Sequence, residues 1–119
     1  MSDTRNLALN WLKKNYPEDR HDYIKSSKYF YDCDIWYFTC PISYLDGDKG
    51  RTIAFLLQNK DKAEDFHYIR VPRAYLIENK DKLDIRQNGQ KFDLRISGKS
   101  INWFMCERSK NLCFRQFEK

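Results

Sequence analysis

The dipeptide Asn88-Gly89 limits the fold of this chain more than any other feature. Asn-Gly adopts the positive φ angles of a two-residue hairpin turn, and the residues on both sides of it alternate between apolar and polar. Centring a turn there pairs Ile85 with Phe92, and one face of the hairpin is then apolar along its length. Because a slip of one residue would turn that face to solvent, the sequence predicts an antiparallel hairpin in this register.

The same kinds of pattern locate the remaining elements. Residues 3–15 are typical of an amphipathic helix, because Leu7, Trp11 and Leu12 fall on one face at a period of 3.6 residues. Residues 73–80 follow a proline and favour a short helix. The segments with strand character are 23–31, 35–44, 52–58, 66–71, 83–87, 90–97, 101–105 and 112–117.

Turn-forming residues join several of these strands into hairpins. The turn signal at 46–50 predicts that 35–44 pairs with 52–58, and the last two strands are expected to pair as well. We therefore expect a single α+β domain over 1–119. In it an N-terminal amphipathic helix packs on a mainly antiparallel sheet of six to eight strands, built from successive hairpins, with one short middle helix.

Composition excludes several classes of protein. With 41% apolar and 16% aromatic residues the chain has enough bulk for a core, so it does not belong to the disordered class. Its four glycines form no phosphate-binding glycine loop, and no serine lies in a nucleophile elbow. No apolar run reaches the roughly 18 residues of a membrane span, and the first residues lack the pattern of a signal peptide. We expect a soluble, cytoplasmic protein with no membrane partner and no cofactor.

The four cysteines fall into two pairs, each with a spacing of seven: Cys33 with Cys40, and Cys106 with Cys113. Structural zinc sites place two cysteines two to four residues apart, so this spacing predicts no metal site. We expect free thiols that behave as small apolar side chains. Cys106 and Cys113 are the one pair for which a cross-strand disulfide is geometrically reasonable.

Positive charge is concentrated in the last third of the chain. Of the net charge of +5, residues 81–119 hold +4, from nine basic and five acidic side chains. In the predicted register Arg86 lies opposite Lys91 on the outward face, where like charges destabilise a sheet unless neighbours or a bound anion compensate. The candidate anion-binding residues are Arg86, Lys91, Arg95, Lys99, Arg108 and Arg115.

These observations favour a binding or interaction domain without catalytic activity. Its expected partner is anionic, with nucleic acid first and an acidic protein second, and the working surface is the basic C-terminal part of the sheet. Most aromatic rings are expected in the core, while rings exposed on the sheet could stack on bases.

Two alternatives come from other classes of function. A nuclease-like domain would hold a divalent metal with carboxylates and orient water with a lysine. Its candidate residues are Asp22, Lys25, Asp32 and Asp34. This interpretation is weakened because Tyr23 stands where the motif requires an acidic residue. In the second alternative, aromatic residues line a small-molecule pocket or mediate a homodimer.

Overall fold

A computed structural model describes residues 3–19, 23–45, 52–86, 88–99 and 112–118. The helices are α1 (Asp3–Asn15) and α2 (Arg73–Glu78). The strands are β1 (Tyr23–Ser27), β2 (Tyr29–Phe30), β3 (Ile35–Pro41), β4 (Thr52–Gln58), β5 (Phe66–Pro72), β6 (Asp84–Arg86) and β7 (Lys91–Ser97). Single turns of 3-10 helix span Ile42–Leu45, Lys80–Lys82 and Arg115–Phe117. The α+β class, the helix over 3–15 and the short middle helix are confirmed, although α2 ends at Glu78.

The described strands form two sheets, whereas a single sheet was expected. One sheet has the strand order β1-β4-β5 and the other has the order β2-β3-β7-β6. β1 runs parallel to β4, and the other pairings of these strands are antiparallel. Successive hairpins therefore account for only part of the topology, because the chain also crosses from one sheet to the other.

The predicted pairing of 35–44 with 52–58 is wrong. β3 lies between β2 and β7 in one sheet, and β4 lies between β1 and β5 in the other. Each strand therefore already has a partner on both edges, and the two strands do not pair with each other. After Pro41 the chain turns through the 3-10 helix Ile42–Leu45, and Tyr44 and Leu45 are buried there. The turn signal at 46–50 lies outside the described residues.

The hairpin around Asn88-Gly89 has the predicted register. Both residues take positive φ angles, 58° and 83°, and the Cα atoms of Ile85 and Phe92 are paired. Ile85 nevertheless remains 38% exposed. β6 is a three-residue edge strand, so its apolar side chain has less cover than those of the central strands.

The main core lies between the two sheets. Alternate residues of the central strands point into it, and Phe38 meets Phe55 across the interface with ring centroids 4.9 Å apart. The Trp36 indole N–H also donates to the Gln58 carbonyl, 2.9 Å away. Buried members from the four longest strands are Trp36, Phe38, Cys40, Ile53, Phe55, Leu57, Ile69, Val71, Phe92, Leu94 and Ile96.

The opposite face of β4 and β5 packs against α1, which makes a second, smaller core. Ala8 and Leu12 are buried there against the second set of alternating side chains, Ala54, Leu56, Phe66 and Tyr68. The helix therefore packs on the sheet as its sequence predicts. β4 is buried on both faces because it has the main core on one side and α1 on the other.

The end of the chain departs from the predicted last hairpin. Residues 101–105 lie outside the described part, and 115–117 form a 3-10 turn where a strand was expected. That turn brings Phe117 against Tyr75 of α2, with ring centroids 4.8 Å apart. Glu118 then makes an isolated antiparallel bridge to Ile69 at the edge of β5. Neither described helix is long and apolar enough to cross a membrane.

Candidate functional site

A groove of about 660 Å³ opens beside the turn between β2 and β3. One wall consists of residues 28–33, and the other consists of residues 58–60 at the end of β4. Ile35, Tyr37 and Arg95 complete the lining. The groove therefore lies where the two sheets meet, and each sheet supplies part of it.

The sequence Tyr29-Phe30-Tyr31 places aromatic rings both inside and outside the protein. Successive side chains of a strand point to opposite faces, so Phe30 points away from the face on which Tyr29 is buried. Tyr29 is buried and packs edge-on to Trp36 at 4.9 Å. Phe30 is 37% exposed and Tyr31 is 65% exposed. The wall of the groove thus presents two large aromatic surfaces to solvent.

The turn that carries these rings is held by several hydrogen bonds. Asp34 takes a positive φ of 57°, and its N–H donates to the Phe30 carbonyl at 2.8 Å. Its carboxylate accepts a bond of 2.8 Å from the Tyr29 hydroxyl. The Gly98 N–H, at the end of β7, donates to the Asp34 carbonyl at 2.8 Å. The turn is consequently tied to both the core and the neighbouring strand.

The opposite wall begins the loop between β4 and β5, which is braced by its own bonds. The Asn59 N–H donates to the Asp65 carbonyl, and the Asp61 N–H donates to the Asn59 side-chain oxygen, both at 2.8 Å. The Tyr31 hydroxyl donates across the groove to the Lys60 carbonyl. This bond joins the two walls and positions the Tyr31 ring.

Three basic side chains lie against aromatic rings along the groove. The Lys28 ammonium is 5.4 Å from the centroid of Phe30, and the Lys60 ammonium is 5.8 Å from that of Tyr29. The Arg95 guanidinium is 5.6 Å from the centroid of Tyr37. These distances are typical of cation–π contacts, which keep a positive charge beside an aromatic face. Among the described lining residues, Asp32 is the one acidic side chain.

Five of the six basic residues predicted as a single surface lie in the described part of the chain, at different places. Of these five, Arg95 is the one that lines the groove. Arg86 and Lys91 are paired in the predicted register, at the end of β7 away from it. Lys99 is exposed just beyond β7, and Arg115 lies in the 3-10 turn near β5 of the other sheet. The sixth, Arg108, falls outside the described residues.

The face of β7 that carries Arg95 also holds a buried carboxylate. Asp93 is only 3% exposed, and it accepts hydrogen bonds from the Tyr37 hydroxyl at 2.8 Å and the Thr39 hydroxyl at 3.1 Å. The basic residues on this strand therefore do not form an uninterrupted positive face.

The residues of the nuclease alternative are not assembled into a metal site in the described part of the chain. Asp22 lies outside it, and Asp34 is engaged by the Tyr29 hydroxyl. No three His, Cys, Asp or Glu side chains come together there in a way that would hold a metal ion.

Cys33, Cys40 and Cys113 are free thiols, as expected, and Cys106 lies outside the described residues. The free Cys113 argues against the disulfide considered for the last hairpin. Cys33 is exposed in the groove, whereas Cys40 is buried. Burial raises the pKa of the Cys40 thiol to about 12, which leaves it protonated and unreactive at neutral pH.

Sequence reasoning missed most of the groove. Phe30 and Tyr31 had a partial signal, since consecutive aromatics in a strand place rings on both faces of the sheet, and one of those faces can be open to solvent. Lys60 had no such signal, because it lies in the loop after β4, which is a strand of the other sheet. In comparisons with known proteins, no family model, characterised protein or solved structure matches the chain.

Proposed function

We propose that this protein is a binding module for single-stranded nucleic acid, whose bases stack on Phe30 and Tyr31. The observation that carries the proposal is that two exposed rings, Phe30 and Tyr31, line one groove together with basic side chains. Aromatic platforms with neighbouring positive charge are how proteins hold single strands without reading their full sequence. This keeps the anionic partner expected from the sequence but moves the main site from the C-terminal basic residues to the groove.

Stacking supplies the reason for preferring a single strand to a duplex. In a duplex both faces of each base are covered by neighbouring bases, so a protein ring cannot reach them without unstacking. In a single strand the faces are accessible, and each stacked base contributes about 1–3 kcal/mol. Tyr31 meets this requirement because its ring is largely exposed, and its hydroxyl bond to Lys60 limits its motion.

Charge supplies the second part of the argument. Lys28, Lys60 and Arg95 approach the groove from different strands or loops. Phosphates that follow the groove would meet these cations while the bases lie on the rings. Binding of this kind releases counterions, so it weakens as salt rises.

The direct test is fluorescence anisotropy with labelled oligonucleotides of about 12 nucleotides, within the range of such sites. DNA and RNA of the same sequence are compared, with the matching duplex and a nucleoside monophosphate as competitors. The variant Y31A should weaken single-strand binding by about tenfold, because one base no longer stacks. The triple variant K28Q/K60Q/R95Q should flatten the log–log salt slope by about 0.7 for each phosphate that is no longer neutralised.

A matched control removes charge elsewhere. Lys13 and Lys14 are exposed in the last turn of α1, on the far side of the β1-β4-β5 sheet from the β2-β3-β7-β6 sheet. K13Q/K14Q should leave the affinity and the salt slope nearly unchanged. R86Q/K91Q tests the surface predicted from sequence, and we expect a smaller decrease in affinity than for the groove triple variant.

Cys33 provides a second readout that does not depend on charge. Because its thiol is exposed in the groove, a bound strand should slow its alkylation. Lack of salt-sensitive binding to DNA and RNA at low salt would refute the proposal. Equal affinity for the monophosphate and the oligonucleotide would instead indicate a small-molecule pocket. Binding that resists Y31A and the triple variant would locate the site elsewhere.

A further inference from the structure

We infer that the groove prefers guanine, which is recognised by the carboxylate of Asp32. The inference rests on the proposed function and adds the identity of a base to it. Asp32 directly follows Tyr31, lines the groove and is exposed. A carboxylate in an anion-binding groove repels phosphate, so its position there calls for a ligand group that compensates.

The two amide side chains of the opposite wall make hydrogen bonds within their own loop. Asn59 uses both ends of its amide within the loop, accepting from the Asp61 N–H and donating to Asp65. Gln58 donates from its amide to the Ala63 carbonyl at 2.8 Å. Asp32 makes no hydrogen bond or ion pair with any described residue. Among the described lining residues, its two oxygens are therefore the one carboxylate that is left to accept hydrogen bonds from the edge of a base.

The chemistry of the bases selects among them. An ionised carboxylate only accepts hydrogen bonds, and it can accept two in parallel. Guanine presents two donors side by side on its pairing edge, the ring N–H and the exocyclic amino group. On the pairing edges of adenine and cytosine the amino group lies beside an acceptor nitrogen, and in thymine or uracil the single N–H lies between two carbonyls. Only guanine thus matches both oxygens without an opposing acceptor.

Position supports the same match. Asp32 is the residue after Tyr31 and lines the same groove, so a base stacked on the Tyr31 ring has this carboxylate in its neighbourhood. Lys28 and Lys60 remain on the groove walls for the phosphates on either side of that base. Stacking and edge recognition can therefore act on one nucleotide at the same time.

The experiment uses thymidine oligonucleotides that carry guanine, inosine or thymine at one central position. Wild-type protein should bind the guanine strand about tenfold more tightly than the all-thymine strand, as for a bidentate contact to a base. Inosine lacks the exocyclic amino group of guanine, so the affinity for the inosine strand should lie between the affinities for the guanine and the all-thymine strands.

The variant D32N separates recognition from charge. Removing the negative charge should tighten binding of the all-thymine strand while it brings the guanine-to-thymine ratio close to one. Asp61 is an exposed neighbour in the loop that does not line the groove, so D61N is the matched control. D61N should leave the ratio unchanged.

Three outcomes would overturn the inference. Equal binding of the three strands by wild type would show that the groove does not read the base, while the proposed function would stand. A guanine-to-thymine affinity ratio that is unchanged in D32N would show that a group other than the Asp32 carboxylate recognises guanine. If no strand binds at all, the proposed function fails and the base preference fails with it.

Discussion

Gly98 shows how tightly a single residue constrains the groove. A Cβ atom at this position would lie 2.4 Å from Cε1 and 2.9 Å from the hydroxyl of Tyr29. Both distances are shorter than real carbon contacts, and the ring cannot easily move because it packs on Trp36 and donates to Asp34. The glycine is therefore required by the ring that supports the β2–β3 turn.

We predict that G98A lowers the free energy of unfolding by about 1–3 kcal/mol, the usual cost of overpacking. Urea denaturation followed by circular dichroism measures the change. In a Tyr29→Ala background the same substitution should cost much less, since the clashing ring is gone. An equal cost in both backgrounds would show that the clash with Tyr29 is not the cause.

Tyr29 also makes stability depend on pH. Burial and the hydrogen bond to Asp34 raise the pKa of Tyr29 from 10.0 to about 12. Burial likewise raises the pKa values of Tyr44, Tyr68 and Tyr75. Between pH 10 and pH 12 Tyr29 of the unfolded chain releases a proton that the folded protein keeps. The contribution of Tyr29 to stability is therefore fully present below pH 10 and declines as pH rises toward 12.

We therefore expect the urea midpoint to fall steeply between about pH 10 and pH 12. Y29F removes one titrating group, so its decline with pH should be shallower, although its stability at neutral pH is reduced because the bond to Asp34 is absent. Parallel pH profiles for wild type and Y29F would contradict the assignment of this dependence to Tyr29.

Among the elements, α1 does more than cover the sheet. Trp11 packs on Phe66 and Tyr68, with centroids 6.2 Å away in each case, and its indole N–H donates to the Asp65 carboxylate at 3.1 Å. Asp65 belongs to the loop whose first residues form one wall of the groove. The helix thus helps to hold that wall from the opposite side of the sheet.

We predict that W11A costs about 2–3 kcal/mol of stability, less than the ~3–5 kcal/mol of a fully buried ring because Trp11 is half-buried. W11F keeps most of the ring packing and removes the bond to Asp65, so it should cost about 1 kcal/mol. Thermal and urea unfolding measure both variants. If W11A lowers the free energy of unfolding by less than about 1 kcal/mol, the helix contributes little to the core.

The elements themselves were easier to predict than their partners. The apolar run of 52–58 and the helical period of 3–15 are local, and the structure has both segments with those bounds. The partner of β4 is not local. β4 is apolar on both faces, so its pattern carries no information about which neighbours lie beside it or whether they run parallel. The hairpin at Asn88-Gly89 was predictable because the turn itself specifies the register.

At the scale of the whole molecule, the groove exists because two sheets meet. Residues 28–33 lead from β1 of one sheet into β3 of the other, and 58–60 end a strand of the first. No single segment of the sequence supplies both walls of the groove, because the two walls are about thirty residues apart along the chain. The clustering of basic residues in 81–119 was visible in the sequence, but among the members of that set that the structure describes only Arg95 lines the groove.

This geometry predicts that binding stabilises the entire fold. A ligand that contacts both walls is bound only when the two sheets are assembled, so it favours the folded state over the unfolded one. At a concentration of about 100 times its Kd, a single strand should add about 2.7 kcal/mol, which corresponds to a rise in Tm of roughly 10 °C. Differential scanning fluorimetry with and without the oligonucleotide measures this shift.

Each variant serves as its own reference in this measurement, because Tm is compared with and without ligand. K28Q/K60Q/R95Q should show a much smaller shift than wild type, and K13Q/K14Q should show the full shift. The contrary result would be saturation in anisotropy with no change in Tm. In that case the strand would bind the unfolded chain as well as the folded one, and the attraction would come from net charge rather than from a groove that only the assembled sheets can form.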